Sequence, residues 1–95
     1  MNYEFIGWCN EDNHDKVWVL IHLPGIGKVV SLWGRRGKKL QHKVYEGLRW
    51  FEIDRLINSK TKKGYQKIDQ NELAKVYPEF EDDLQKTYIW ALLSA

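Results

Sequence analysis

Trp33, Gly34, Arg35 and Arg36 are followed, after Gly37, by Lys38 and Lys39, so that one indole stands among four cations within seven residues. An indole stacks on a base or a sugar, and a guanidinium fork takes two phosphate oxygens at once. The combination therefore suits a nucleic-acid backbone. If the run ends a β-strand, residues 33 and 35 share one side and Gly34 faces the other, placing Trp33 beside Arg35 with nothing at Gly34 to obstruct approach. Lys43 adds a further cation on the next strand. The competing explanation is a core tryptophan next to a solvated basic turn, and composition and spacing alone favour it. A second basic group, Lys60, Lys62 and Lys63, has the same two explanations: phosphate contact, or compensation of a helix dipole.

Other chemistry finds little support. His14, His22 and His42 show no metal-ligand spacing with one another, and Cys9 with His14, five apart, is a single pair with no further His or Cys near it. His22, in an apolar stretch, reads as a satisfied structural histidine. The GIGK run at 25–28 lacks the earlier glycine and the following Ser or Thr of a phosphate-binding loop, and a hairpin turn accounts for its glycines. Asp82 and Asp83 fit a helix start. The expectation is a non-enzymatic protein without metal or cofactor.

A chain of 95 residues fits one domain with one modest core. Its 43% hydrophobic and 29% charged residues are those of a globular protein rather than a disordered one. No apolar run approaches the roughly 18 residues that span a bilayer, and MNYEFIGWC lacks the basic start of a secretory signal. A cytoplasmic protein without membrane contact is expected. The single cysteine, Cys9, excludes an internal disulfide.

The net charge of +2 conceals a blocky distribution. Residues 28–67 hold twelve Lys or Arg against three acids, whereas 1–27 and 68–95 are net acidic. A basic centre between acidic flanks points to one polyanion-facing surface, with a merely solvated face as the alternative.

These residues must be positioned by recognisable elements. Tyr3 to Trp8 predicts a first strand, ended by the polar 11–15 loop. Lys16 to Leu23 is apolar on both alternating faces, which predicts a central strand covered on two sides. Pro24 to Gly27 predicts a tight turn, Lys28 to Trp33 a third strand with RRGKK as its turn, and Leu40 to Glu46 a fourth. From Leu48 the spacing shifts to three and four: Leu48, Phe51 and Leu56, with Trp50, Ile53 and Ile57 beside them, predict an amphipathic helix ending near Gly64. A short strand at 65–68 follows. Asp69 with Glu72 predicts a capped helix through Val76, and Pro78 the first position of a last helix with Phe80, Leu84, Tyr88 and Ala91 inward. The fold class is α+β: an antiparallel sheet of about five strands, one amphipathic helix across it, and a C-terminal helical extension.

Trp33, Gly34 and Arg35 resemble the signature of the WGR domain, a module of poly(ADP-ribose) polymerases and of small bacterial proteins. The likeness continues in NHDKVWVLIH (13–22), which is similar to the family's lead strand. It extends through SLWGRRG with Gln41 and Lys43, and through Leu56, Lys60, Lys63, Gly64 and Tyr65, which resemble the end of its single helix. Coverage runs from Tyr3 to Ile68. The resemblance implies a nucleic-acid-binding role at DNA breaks, with Trp33 packing on sugar near a strand end and Arg35 linking phosphate or a partner. Arg36 departs from the family, which has Val or Ile there, and the segment after Gly37 is shorter than in many members.

The expected organisation is a WGR-like unit at 1–68 with an extension at 69–95 packed on it. The expected function is binding of double-stranded DNA at ends or nicks through Trp33, Gly34, Arg35, Arg36, Lys38, Lys39, Lys43, Lys60, Lys62 and Lys63. RNA is the alternative nucleic acid. The alternative function is a protein interaction module, with a partner or a second copy bound through the acidic C-terminal helix and the apolar IWALL tail (89–93).

Overall fold

The computed structural model describes residues 2–11, 15–23 and 27–94. Five strands, β1 (Asn2–Cys9), β2 (Lys16–Leu23), β3 (Lys28–Arg35), β4 (Gln41–Glu46) and β5 (Gln66–Lys67), form one antiparallel sheet in the order β4-β3-β2-β1-β5. Helix α1 (Trp50–Lys62) lies between β4 and β5 in sequence, and α2 (Gln70–Val76) and α3 (Phe80–Ser94) follow. This is the expected α+β arrangement with a C-terminal helical extension. The 12–14 part of the first loop, with His14, and the Pro24–Ile26 part of the predicted turn lie outside the described residues.

β2 is covered on both faces, as its composition requires. Val17, Val19, Ile21 and Leu23 join Ile6, Val30, Leu32, Leu40, Ile68, Leu73, Tyr77, Phe80, Leu84 and Ala91 in one buried cluster. On the opposite face Trp18 and Leu20 pack with Phe5, Val29, Ile53 and Tyr65, and Trp33, Tyr45, Leu56 and Ile57 adjoin them half-buried. One face therefore carries α1, and the other carries α2 and α3. Leu73, Tyr77, Phe80, Leu84 and Ala91 of the C-terminal extension complete the core beneath the sheet. A register shift between Tyr3 and Phe5 in β1 accompanies the burial of the adjacent residues Phe5 and Ile6 on opposite faces.

Three details differ from the sequence expectation. β3 continues through Arg35, two residues past Trp33, because Gly34 and Arg35 still pair with Val17 and Lys16. Pro78 stands in the turn before α3 rather than at the helix's first position. In α1, Trp50 is 76% exposed, and Phe51 is exposed as well. At 100° per residue Phe51 points away from the stripe formed by Ile53, Leu56, Ile57 and Lys60, and Trp50 sits at the helix's first position, off the centre of that stripe. Glu52 accepts the Arg49 amide at 3.2 Å to close the helix start. At its end Gly64 adopts φ +99°, and the amides of Lys63, Gly64 and Tyr65 return to the carbonyls of Lys60 and Thr61.

Candidate nucleic-acid interface

Strand register decides which of the basic residues meet. Trp33 lies opposite Trp18 of β2 and Gln41 of β4, Arg35 opposite Lys16, and Ser31 opposite Lys43. Alternation then sets Lys16, Trp18, Ser31, Trp33, Arg35, Gln41, Lys43 and Tyr45 on one face, the face that carries α1. Trp33 is half-buried: its ring packs on the α1-side core and keeps part of its surface in solvent.

The helix end brings the second basic group to the same place. The Lys60 ammonium stands 5.5 Å from the centre of the Trp18 ring, Lys16 stands 5.8 Å from that of Tyr65, and Lys43 stands 5.0 Å from that of Tyr45. Each cation rests on an aromatic face, which holds the charge at the surface while its stem covers apolar area. Burial lowers the Lys60 pKa below its ordinary value, and repulsion from Lys63 and then Lys16 adds to the effect. Lys63 and Lys16 stand close enough to disfavour the charge on Lys60, a crowding that an anion relieves.

The expected site residues accordingly divide. Trp33, Arg35, Lys43, Lys60 and Lys63 converge on the α1 face. Lys62 lies on the outer side of α1, where it lines a shallow cleft with Trp50, Phe51 and Arg55. A Cβ added to Gly34 would meet Leu40 Cδ2 at 3.2 Å and the Lys39 carbonyl at 3.4 Å, so its missing side chain admits the β3–β4 connection rather than a ligand.

Arg36 is engaged within the protein. Its guanidinium pairs with Asp15 at 2.6 Å and donates to the carbonyl of Val76 at the end of α2, while its amide donates to the Asp15 carbonyl at 2.8 Å. Asp15 also accepts the Trp8 indole N–H at 3.0 Å. Arg36 thus joins the turn to the C-terminal extension. Lys38 and Lys39 face α3, on the other side of the sheet from Trp33.

Two residues on the α1 face have no counterpart in the sequence expectation. Lys16 opens β2, and only its pairing with Arg35 reveals its place; Tyr45 becomes relevant through the Lys43 ammonium above its ring. The Ser31 hydroxyl, buried on this face, has no hydrogen-bond partner among the described residues. His22 is paired with Glu4 at 2.9 Å, which fits a structural role. No group of three His, Cys, Asp or Glu able to hold a metal occurs among the described residues, and no helix among them is long and apolar enough to cross a membrane. No protein-family model, curated protein or solved structure matches the chain.

Proposed function

We propose that the chain is a non-enzymatic nucleic-acid-binding module of WGR-like character whose α1 face takes duplex DNA at ends or nicks. The observation that carries this reading is the gathering of Lys16, Arg35, Lys43, Lys60 and Lys63 around the half-buried Trp33. The cations attract the backbone and displace its counterions. Arg35 grips a phosphate, and the indole packs on the sugar or base exposed where a strand stops. Phosphate contacts carry no sequence information, so binding is expected to be indifferent to sequence. Likeness to the WGR signature at Trp33, Gly34 and Arg35 supports the same reading and adds the preference for breaks.

Fluorescence-polarisation titrations of nicked, blunt-ended and covalently closed duplexes at two salt concentrations test it. Five phosphate contacts on B-form DNA give a slope of log affinity against log salt of about −4.5. Trp33→Ala is expected to weaken binding to nicked DNA by about tenfold or more, and Arg35→Ala to flatten the slope by about one unit. Affinity that is insensitive to salt and survives both substitutions removes the proposal.

A second reading is favoured by a separate observation. Ile89, Trp90 and Leu93 of α3 are 55%, 64% and 75% exposed, an apolar surface suited to a protein partner or a second copy. Sedimentation of the full chain between micromolar and millimolar concentration tests self-association.

A further inference from the structure

We propose that the cleft between the β3–β4 turn and α3 is a second nucleic-acid site, holding one nucleotide of a strand distinct from that on the Trp33 face. Its lining includes Lys38, Lys39 and Leu40 from the turn and Asp83, Lys86 and Trp90 from α3. Leu40 belongs to the buried cluster beneath α2 and α3, so the cleft opens on the opposite side of the sheet from Trp33 and Lys60. A strand lying on the α1 face cannot also occupy it.

The chemistry is that of a nucleotide. Lys38, Lys39 and Lys86 line the cleft with a single carboxylate, Asp83, whose Oδ2 accepts the Tyr77 hydroxyl at 2.6 Å. The cleft is therefore net cationic, although α3 begins with Glu81, Asp82 and Asp83. Trp90, 64% exposed at the rim, offers a flat face for a base while the lysines meet its phosphate. A hydrophobic protein partner would use Trp90 and leave the three lysines to be desolvated without compensation, whereas a nucleotide uses both.

The turn is held in place rather than left to the ligand to order. Arg36 is tied to Asp15 and to the Val76 carbonyl, and Tyr77 is hydrogen-bonded to the Gly37 backbone. Gly37 takes φ +83°, a conformation that turns the chain so that Lys38 and Lys39 meet α3. Binding thus pays little for backbone ordering. Occupancy of both faces would let one chain bridge two strands, and only that consequence rests on the function proposed for the α1 face.

The test is a titration of the full ¹⁵N-labelled chain with tetrathymidylate. The indole N–H signals of Trp33 and Trp90 are followed separately after assignment with Trp33→Phe and Trp90→Phe. Shifts of the Trp90 indole and of the Lys38 to Leu40 amides are expected, retained in Trp33→Ala. Lys38→Glu with Lys86→Glu is expected to abolish them. Trp90→Ala weakens this site about tenfold while Trp90→Phe stays within about threefold, which separates stacking from damage to the fold. A Trp90 response without one at Trp33 upholds this site and leaves the α1 face to the duplex titrations. Shifts confined to the Trp33 face overturn the inference. So does a Trp90 signal that moves with protein concentration alone.

Discussion

Tyr77→Phe removes one oxygen atom from the place where the basic turn meets the C-terminal extension. The ring is fully buried, and its hydroxyl donates to Asp83 at 2.6 Å and is hydrogen-bonded to the Gly37 backbone. Burial, with the Asp83 hydrogen bond next, pushes the Tyr77 pKa from 10.0 up to about 12. At about 1.4 kcal/mol per pH unit, the ceiling on the linked stability is about 2.7 kcal/mol. A hydroxyl hydrogen-bonded to a carboxylate contributes less than that ceiling, and the expectation is about 1–2 kcal/mol.

The sign follows from proton counting. Between pH 10 and about 12 the folded chain keeps a proton that the unfolded chain has released, so this contribution is complete below pH 10 and is lost as pH rises through the folded value. Urea unfolding of both proteins at pH 8, 9.5 and 11 reads it. Tyr77→Phe should be less stable by about 1–2 kcal/mol at pH 8, and the gap should fall to about half by pH 11. Tyr3 and Tyr65, whose pKa values burial also raises, titrate in both proteins and cancel from the difference. A gap that is absent at pH 8, or constant up to pH 11, refutes the reasoning.

Other substitutions probe separate links. Arg36→Ala breaks the Asp15 pair and the Val76 contact at a half-exposed site, so a loss of about 1 kcal/mol in urea unfolding is expected, with DNA affinity at the α1 face within about twofold of wild type. Leu84→Ala empties a fully buried position shared by α3 and the sheet and should cost about 2–5 kcal/mol by the same assay. Ser31→Ala discards a buried hydroxyl without a partner among the described residues, and the expected change is stabilising, by about 0.5–1 kcal/mol. A chain cut after Ile68 exposes Val17, Val19, Ile21, Val30 and Leu32 and should show no cooperative thermal transition in circular dichroism.

Much of the architecture was legible from local pattern. The two-faced apolarity of 16–23 requires a strand covered on both sides, and the spacing of Phe80, Leu84 and Ala91 requires a helix with one buried stripe; both needs are met by the same contacts. Asp69 caps α2 as its distance from Glu72 implies, accepting that residue's amide at 2.7 Å. Such features depend on periodicity and on hydrogen bonds a few residues apart, so the order of residues alone determines them.

The site is a different matter. Trp33, Arg35 and Lys43 could be selected as candidates from residue type, but their company could not. Lys16 reaches Arg35, and Lys60 reaches Trp18, only through strand register and the path of α1 across the sheet. Neighbouring residues in the RRGKK run were sent to different tasks: Arg35 to the α1 face, Arg36 to an internal bond with Asp15 and Val76, Lys38 and Lys39 to α3. Side chains alternate across a strand, and a turn reverses the chain within a few residues, so adjacent cations emerge on opposite sides of a sheet. Sequence determined that this chain carries an indole among many positive charges; folding alone decided which of those charges surround it.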